Sequence, residues 1–167
     1  MENLYLQDGH QKKYTGLIPP PIDVLCQLAA GLAYMHSKEL IHRDISPKNA
    51  LIWVNPNNTD QVLMKWTVFG FGKVNERGNY IGSREIGPES WLAPEILTLV
   101  NNTSSSNNDI KSARLQGSAK SDVYAEGLVF GRFLLKGRHI FGKRTEIPSN
   151  ILDDEKVNIT SIYDLKL

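Results

Sequence analysis

Asp44 and Asn49 carry the most chemistry in this sequence. They lie in the stretch Ile41-His42-Arg43-Asp44-Ile45-Ser46-Pro47-Lys48-Asn49, which Pro47 keeps out of continuous helix. A carboxylate and a carboxamide held on one tight loop suit phosphoryl transfer. The Asp accepts the proton of an attacking hydroxyl, and the Asn side-chain oxygen holds a metal ion. Each also has a plainer use: Asp44 can order the loop through hydrogen bonds, and Asn49 can satisfy buried backbone groups.

The flanking elements must position that loop. Pro19-Pro20-Pro21 is extended and then starts a helix, with Pro tolerated in the first turn and Asp23 suited to the positive end. Apolar residues at Ile22, Leu25, Cys26, Ala29, Leu32 and Ala33 predict one buried face, and the helix should end near His36. After the loop, Ala50-Leu51-Ile52-Trp53-Val54 reads as a strand. A turn over Asn55 to Asp60 follows, and Val62-Leu63-Met64-Lys65-Trp66 returns as its partner. Residues 70–92 are irregular and Gly-rich, and a short helix follows to about Val100. The Asn/Ser-rich run after it predicts a flexible insertion at about 101–117. Ser121-Asp122 should cap a helix to about Lys136, stopped by Gly137 and apolar nearly all round, as a central helix is. A last short helix is expected around Asn150 to Lys156.

With 167 residues, 41% hydrophobic and 22% charged, the chain reads as one globular domain. Its net charge of +1 argues for neither nucleic acid nor an anionic membrane as partner. A single cysteine, Cys26, favours a reducing, cytoplasmic compartment and should be a small buried hydrophobe. No signal peptide or membrane-spanning run is evident. Met1 to Gly9 hold the apolar cluster Leu4-Tyr5-Leu6 and also look like a protease-cleavage tag.

The loop matches H-R-D-x-x-x-x-N, and the chain resembles the protein kinase family. Further pieces follow in the family's order. Val68-Phe69-Gly70 stands where D-F-G should be, and Ala93-Pro94-Glu95 matches A-P-E. Ser121-Asp122-Val123-Tyr124 with Gly127 looks like the start of the central helix, and Gly137 to Gly142 is similar to the segment after it. Gly87 to Glu95, Phe141-Gly142-Lys143 and Asn150-Ile151-Leu152 resemble the endoplasmic-reticulum stress-sensor branch, the inositol-requiring kinase–endoribonucleases. The resemblance implies an α+β fold: a mainly helical C-lobe with a small β-hairpin, the N-lobe absent. Residues 1–152 would be the partial kinase domain, and 153–167 the start of an incomplete helical C-terminal part. No G-x-G-x-x-G loop precedes a V-A-I-K strand.

The resemblance also implies roles. Asp44 would be the proton acceptor, Asn49 the magnesium ligand, and Asn49 with Ser46 the cofactor contacts for ATP. Arg43 would pair with a phosphorylated residue, Ser83 first and Tyr80 or Ser90 after it. His42, Phe69, Gly70, Glu95 and Asp122 would be structural, with Asp122 holding the loop backbone and Glu95 left without its arginine partner. Three departures bear on the terminal phosphate. Val68 replaces the second metal ligand, and losing about 4 kcal/mol there would slow transfer roughly a thousandfold. Ser46 replaces a lysine that contacts the transferring phosphate; Lys48, two positions on, is the catalytic substitute the sequence offers, but on a turn its side chain should point elsewhere. Pro88 replaces a threonine that hydrogen-bonds the catalytic Asp.

The resulting expectation is a pseudokinase acting as an interaction module, through a protein partner or a homodimer, on the cytosolic side of the endoplasmic reticulum. Neither nucleic acid nor membrane is expected to bind it. The alternative is an ATP-dependent serine/threonine kinase transferring phosphate through Asp44, and a third reading is a fragment that does not fold stably alone.

Overall fold

A computed structural model describes residues 14–67, 73–74, 80–81, 89–102 and 117–163. Helix α1 spans Pro21–Ser37, strand β1 Ala50–Asn55 and strand β2 Asn58–Trp66. A two-residue pair follows, β3 at Lys73–Val74 and β4 at Tyr80–Ile81. Helices α2 (Pro94–Asn102), α3 (Ala119–Leu134), α4 (Ile147–Leu152) and α5 (Thr160–Tyr163) complete the set. The result is a helical body carrying small antiparallel hairpins, the α+β arrangement expected.

Helix α1 starts at Pro21, as the proline run predicts, but it buries a different face. Val24, Leu28, Leu32 and Met35 point inward. Ile22 is 61% exposed, and Cys26 and Ala33 also face out, so the expectation of a buried Cys26 is corrected. The cause is tertiary. Gln27 Oε1 accepts from the Met64 N–H at 2.7 Å, and the Trp66 indole N–H donates to the Leu28 carbonyl at 3.0 Å. Those bonds fix the roll of a helix that has apolar residues on more than one side.

Strands β1 and β2 pair from Ala50↔Trp66 to Val54↔Val62, then slip by a bulge to Asn55↔Asn58. The turn is tighter than expected: Asn55 Oδ1 accepts from the Asn57 N–H at 2.9 Å, and β2 begins at Asn58. Ala50, Val62, Met64 and Trp66 face the core, while Leu51 and Trp53 lie outside with the Lys65 ammonium over the Trp53 ring.

Helix α3 is the spine. Ser118, not Ser121-Asp122, caps it: Ser118 Oγ accepts from the Ser121 N–H, and Ser121 Oγ accepts from the Ser118 N–H in return. It ends at Leu134, earlier than expected. Lys136 N–H bonds the Phe133 carbonyl and Gly137 N–H the Arg132 carbonyl, with φ of 52° at Lys136 and 99° at Gly137. One side of α3 (Ala125, Val129, Phe133) meets α1 and the hairpin; Leu128 and the following Leu135 meet Leu97, Ile140, Phe141, Ile147 and Ile151. Gly131 lets Ile140 approach the helix where a Cβ would collide. Of the last expected helix, α4 holds the first part and stops at Leu152. Helix α2 runs two residues into the expected insertion, whose residues 103–116 lie outside the described ones.

Candidate functional site

The Asp44 loop is pinned from three directions. After α1, Leu40 N–H bonds the Met35 carbonyl and Glu39 N–H the His36 carbonyl, with Glu39 at φ 59°. From α3, the Asp122 carboxylate accepts the His42 N–H at 2.7 Å and the Arg43 N–H at 2.8 Å. The same carboxylate lies 3.0 Å from His36 Nε2 and is 2% exposed. Arg43 sits at φ 63°, a strained conformation for a residue with a Cβ, and the Asp122 bonds hold it there. From β2, the Thr67 N–H and hydroxyl both donate to the Asn49 carbonyl. His42 closes the set: Nε2 donates to the Thr67 carbonyl at 2.7 Å, and Nδ1 accepts the Asp44 N–H at 3.2 Å. That pattern fixes the neutral tautomer with the proton on Nε2.

Asp44 is buried, at 7% exposure. Asn49 Nδ2 donates to its carbonyl at 2.7 Å and to its Oδ2 at 2.6 Å. Lys48 does not point elsewhere: its ammonium is 3.5 Å from Asp44 Oδ2. The physical reason is the 3-10 turn over Pro47–Asn49, which brings residue 48 back over residue 44. Ser46 is 2% exposed, and among the described residues its Oγ has no hydrogen-bond partner. Between the loop and the Trp91–Ala93 segment there remains about 30 Å³, room for one water. A cavity of about 560 Å³ opens instead on the Lys48 side.

Of the other residues singled out, Val68, Phe69, Gly70, Ser83, Gly87 and Pro88 lie outside the described residues. Tyr80 opens β4. Ser90 is buried in a 3-10 turn, and its carbonyl meets His139 Nε2 at 3.1 Å. Arg43 Nε is buried and, among the described residues, unpartnered. Glu95 is exposed in the first turn of α2, and among the described residues it makes no ion pair. Burial first, then Asp154 and Glu95, push the Tyr124 phenol up to about 12.

Two buried titratable groups escape sequence reasoning. Glu126 sits one turn beyond Asp122, and among the described residues its Oε1 lacks a partner. Burial pushes its carboxyl up, offset by the Trp66 indole and His36, while Asp122 adds to the rise. Burial likewise pulls the His139 imidazole down to about 4, opposed by its bond to Ser90, with the Arg132 cation adding to the fall. His139 packs edge-on against Trp91 at 4.9 Å. The run Gly137-Arg138-His139 through Lys143-Arg144 was the available signal, being basic in a nearly neutral chain.

Magnesium, which the kinase resemblance implies together with ATP, fits this donor set poorly. Asn49 offers one neutral amide oxygen, and Val68 at the second ligand's place in the sequence offers none. Magnesium demands several oxygen ligands, usually a carboxylate among them. No group of three or more His, Cys, Asp or Glu residues that could hold a metal occurs among the described residues.

The sequence pattern of the protein kinase domain matches residues 21–166. Human serine/threonine-protein kinase/endoribonuclease IRE2 is 33% identical over 135 residues, covering 79% of this chain and 13% of its own length. The Schizosaccharomyces pombe sensor for unfolded proteins in the ER, ire1, is 29% identical over 141 residues, 78% of this chain and 13% of that protein. Caenorhabditis elegans serine/threonine-protein kinase/endoribonuclease ire-1 is 28% identical over 138 residues, 80% of this chain and 13% of that protein. The chain thus spans about an eighth of these relatives' length. Among the described residues no helix is long and apolar enough to cross a membrane.

Proposed function

We propose that this chain, which belongs to the protein kinase family, works as an interaction module that keeps the kinase fold without transferring phosphate. One observation carries the reading. The residues that brace the loop (Asp122, His42, Asn49) are hydrogen-bonded to it, whereas the position of the second metal ligand is Val68. A valine side chain has no lone pair for magnesium, and an Asp44 carboxylate engaged by Asn49 and Lys48 serves the loop itself. The partner would be a protein or a second copy of the chain, met in the cytosol.

The test is label transfer from Mg-ATP to the chain itself and to a generic protein substrate. Incorporation no greater than that of Asp44→Ala supports the module. Incorporation abolished by Asp44→Ala overturns it.

A second reading, residual serine/threonine kinase activity, is favoured by Lys48. Its ammonium supplies beside Asp44 the positive charge that Ser46 cannot. On that reading Lys48→Ala would remove any transfer observed while leaving the melting temperature unchanged.

A further inference from the structure

We propose that the cavity beside Lys48 is a docking groove for a glutamate- and aspartate-rich peptide segment of a protein partner. The proposal rests on the interaction-module reading and names the chemistry of what is bound. Among the described residues, five cationic side chains line the cavity (Arg132, Arg138, Lys143, Arg144 and Lys48, which also meets Asp44) against one lining carboxylate, Glu146. The whole chain carries a net charge of only +1, so this cluster of cations is a local excess. Arg138, Lys143 and Arg144 are exposed, and among the described residues none of them is in an ion pair. Clefts lined by one sign of charge concentrate ligands of the other sign.

The walls are built rather than loose. The Asn158 amide donates to the His139 carbonyl at 2.8 Å, and the Asn150 amide to the Phe141 carbonyl at 2.9 Å. His139, neutral and buried, is tied to the Ser90 carbonyl, which locks the turn bearing Arg138 to the segment bearing Trp91. Trp91 and the 53%-exposed Val157 give the groove an apolar side. At about 560 Å³ it falls in the range of sites that enclose a ligand. Cations at the rim with an apolar wall suit a chain of alternating carboxylate and aliphatic side chains, and guanidinium groups pair carboxylates two bonds at a time.

The experiment measures fluorescence anisotropy of a labelled peptide of alternating glutamate and leucine, titrated with the full chain. Controls are the same peptide with glutamine for glutamate and a single-stranded oligonucleotide of equal charge. The glutamate peptide is expected to bind, the glutamine peptide not to, and the oligonucleotide to bind more weakly. The double variant Arg138→Ser with Arg144→Ser, altered only at exposed positions, should weaken the peptide about tenfold with an unchanged melting temperature. Binding that ignores the glutamine replacement, binding unchanged in the double variant, or tighter binding of the oligonucleotide would each overturn the proposal. Phosphate transfer is a separate readout, so it can refute the module while the groove survives, and the reverse holds too.

Discussion

Replacing Asp122 by alanine probes the loop at its strongest attachment. The carboxylate accepts the His42 and Arg43 N–H groups at 2.7 and 2.8 Å and faces His36 at 3.0 Å. Hydrogen bonds to a charged acceptor are worth about 1.5–3 kcal/mol each, and breaking a buried charged network costs about 3–5 kcal/mol in all. For a domain of this size each kcal/mol moves the melting temperature by about 2–4 °C, so Asp122→Ala should lower it by roughly 10 °C. Asp122→Asn retains one acceptor oxygen but turns an NH2 toward the other N–H, and should cost about half as much. Urea unfolding followed by tryptophan fluorescence gives the global number. Tryptic cleavage after Arg43 gives the local one, because its N–H bond to Asp122 helps hold that residue at φ 63°. An Asp122→Ala loss below about 1 kcal/mol, or no faster cleavage at Arg43, would refute the claim that this carboxylate holds the loop.

Three further outcomes follow from buried groups and backbone strain. His139 has its pKa lowered to about 4 in the folded chain, so the stability it contributes is present above about 6.5 and is lost as pH falls toward 4. The loss should reach on the order of 3 kcal/mol relative to His139→Gln, and the imidazole NMR signal should not titrate at pH 6. Glu126, whose carboxyl is raised, has the opposite sign: its stability is present at acid pH and lost as pH rises through the folded value. Glu126→Gln should therefore stabilise the fold by about 1–3 kcal/mol at pH 7, read as a higher urea midpoint, with the gain shrinking as the pH is lowered. Lys136 holds a left-handed conformation at the end of α3, so Lys136→Gly should stabilise by about 1 kcal/mol, read as a rise of a few degrees in melting temperature.

Prolines, glycines and turn residues made the order of elements legible: Pro21 opens α1, and Asn55 with Pro56 marks the hairpin turn. What could not be read depends on partners distant in sequence. The roll of α1 follows from Gln27 meeting Met64 and Leu28 meeting Trp66, and no periodicity encodes those bonds. The start of α3 lies before the expected Ser121-Asp122 cap because Ser118 and Ser121 cap it reciprocally, a pairing that the Ser-Asp signal alone does not specify. The direction of Lys48 depends on a 3-10 turn that the Pro47 signal alone does not specify. The basic groove joins residue 48 to residues 132–144, so its cations are not contiguous in the sequence.

An ordered Asp44 loop is weak evidence for catalysis, and the contacts explain why. Each bond that shapes the loop ends on another protein atom: Asp122 on backbone N–H groups, His42 on the Thr67 carbonyl, Asn49 on Asp44. Selection for a stable C-lobe surface would preserve it as well as selection for turnover would. Position 68 differs in kind: the valine there offers magnesium no lone pair. Valine at position 68 beside bracing at 42, 49 and 122 is the pattern that motivates the proposed module, a fold kept for what it binds.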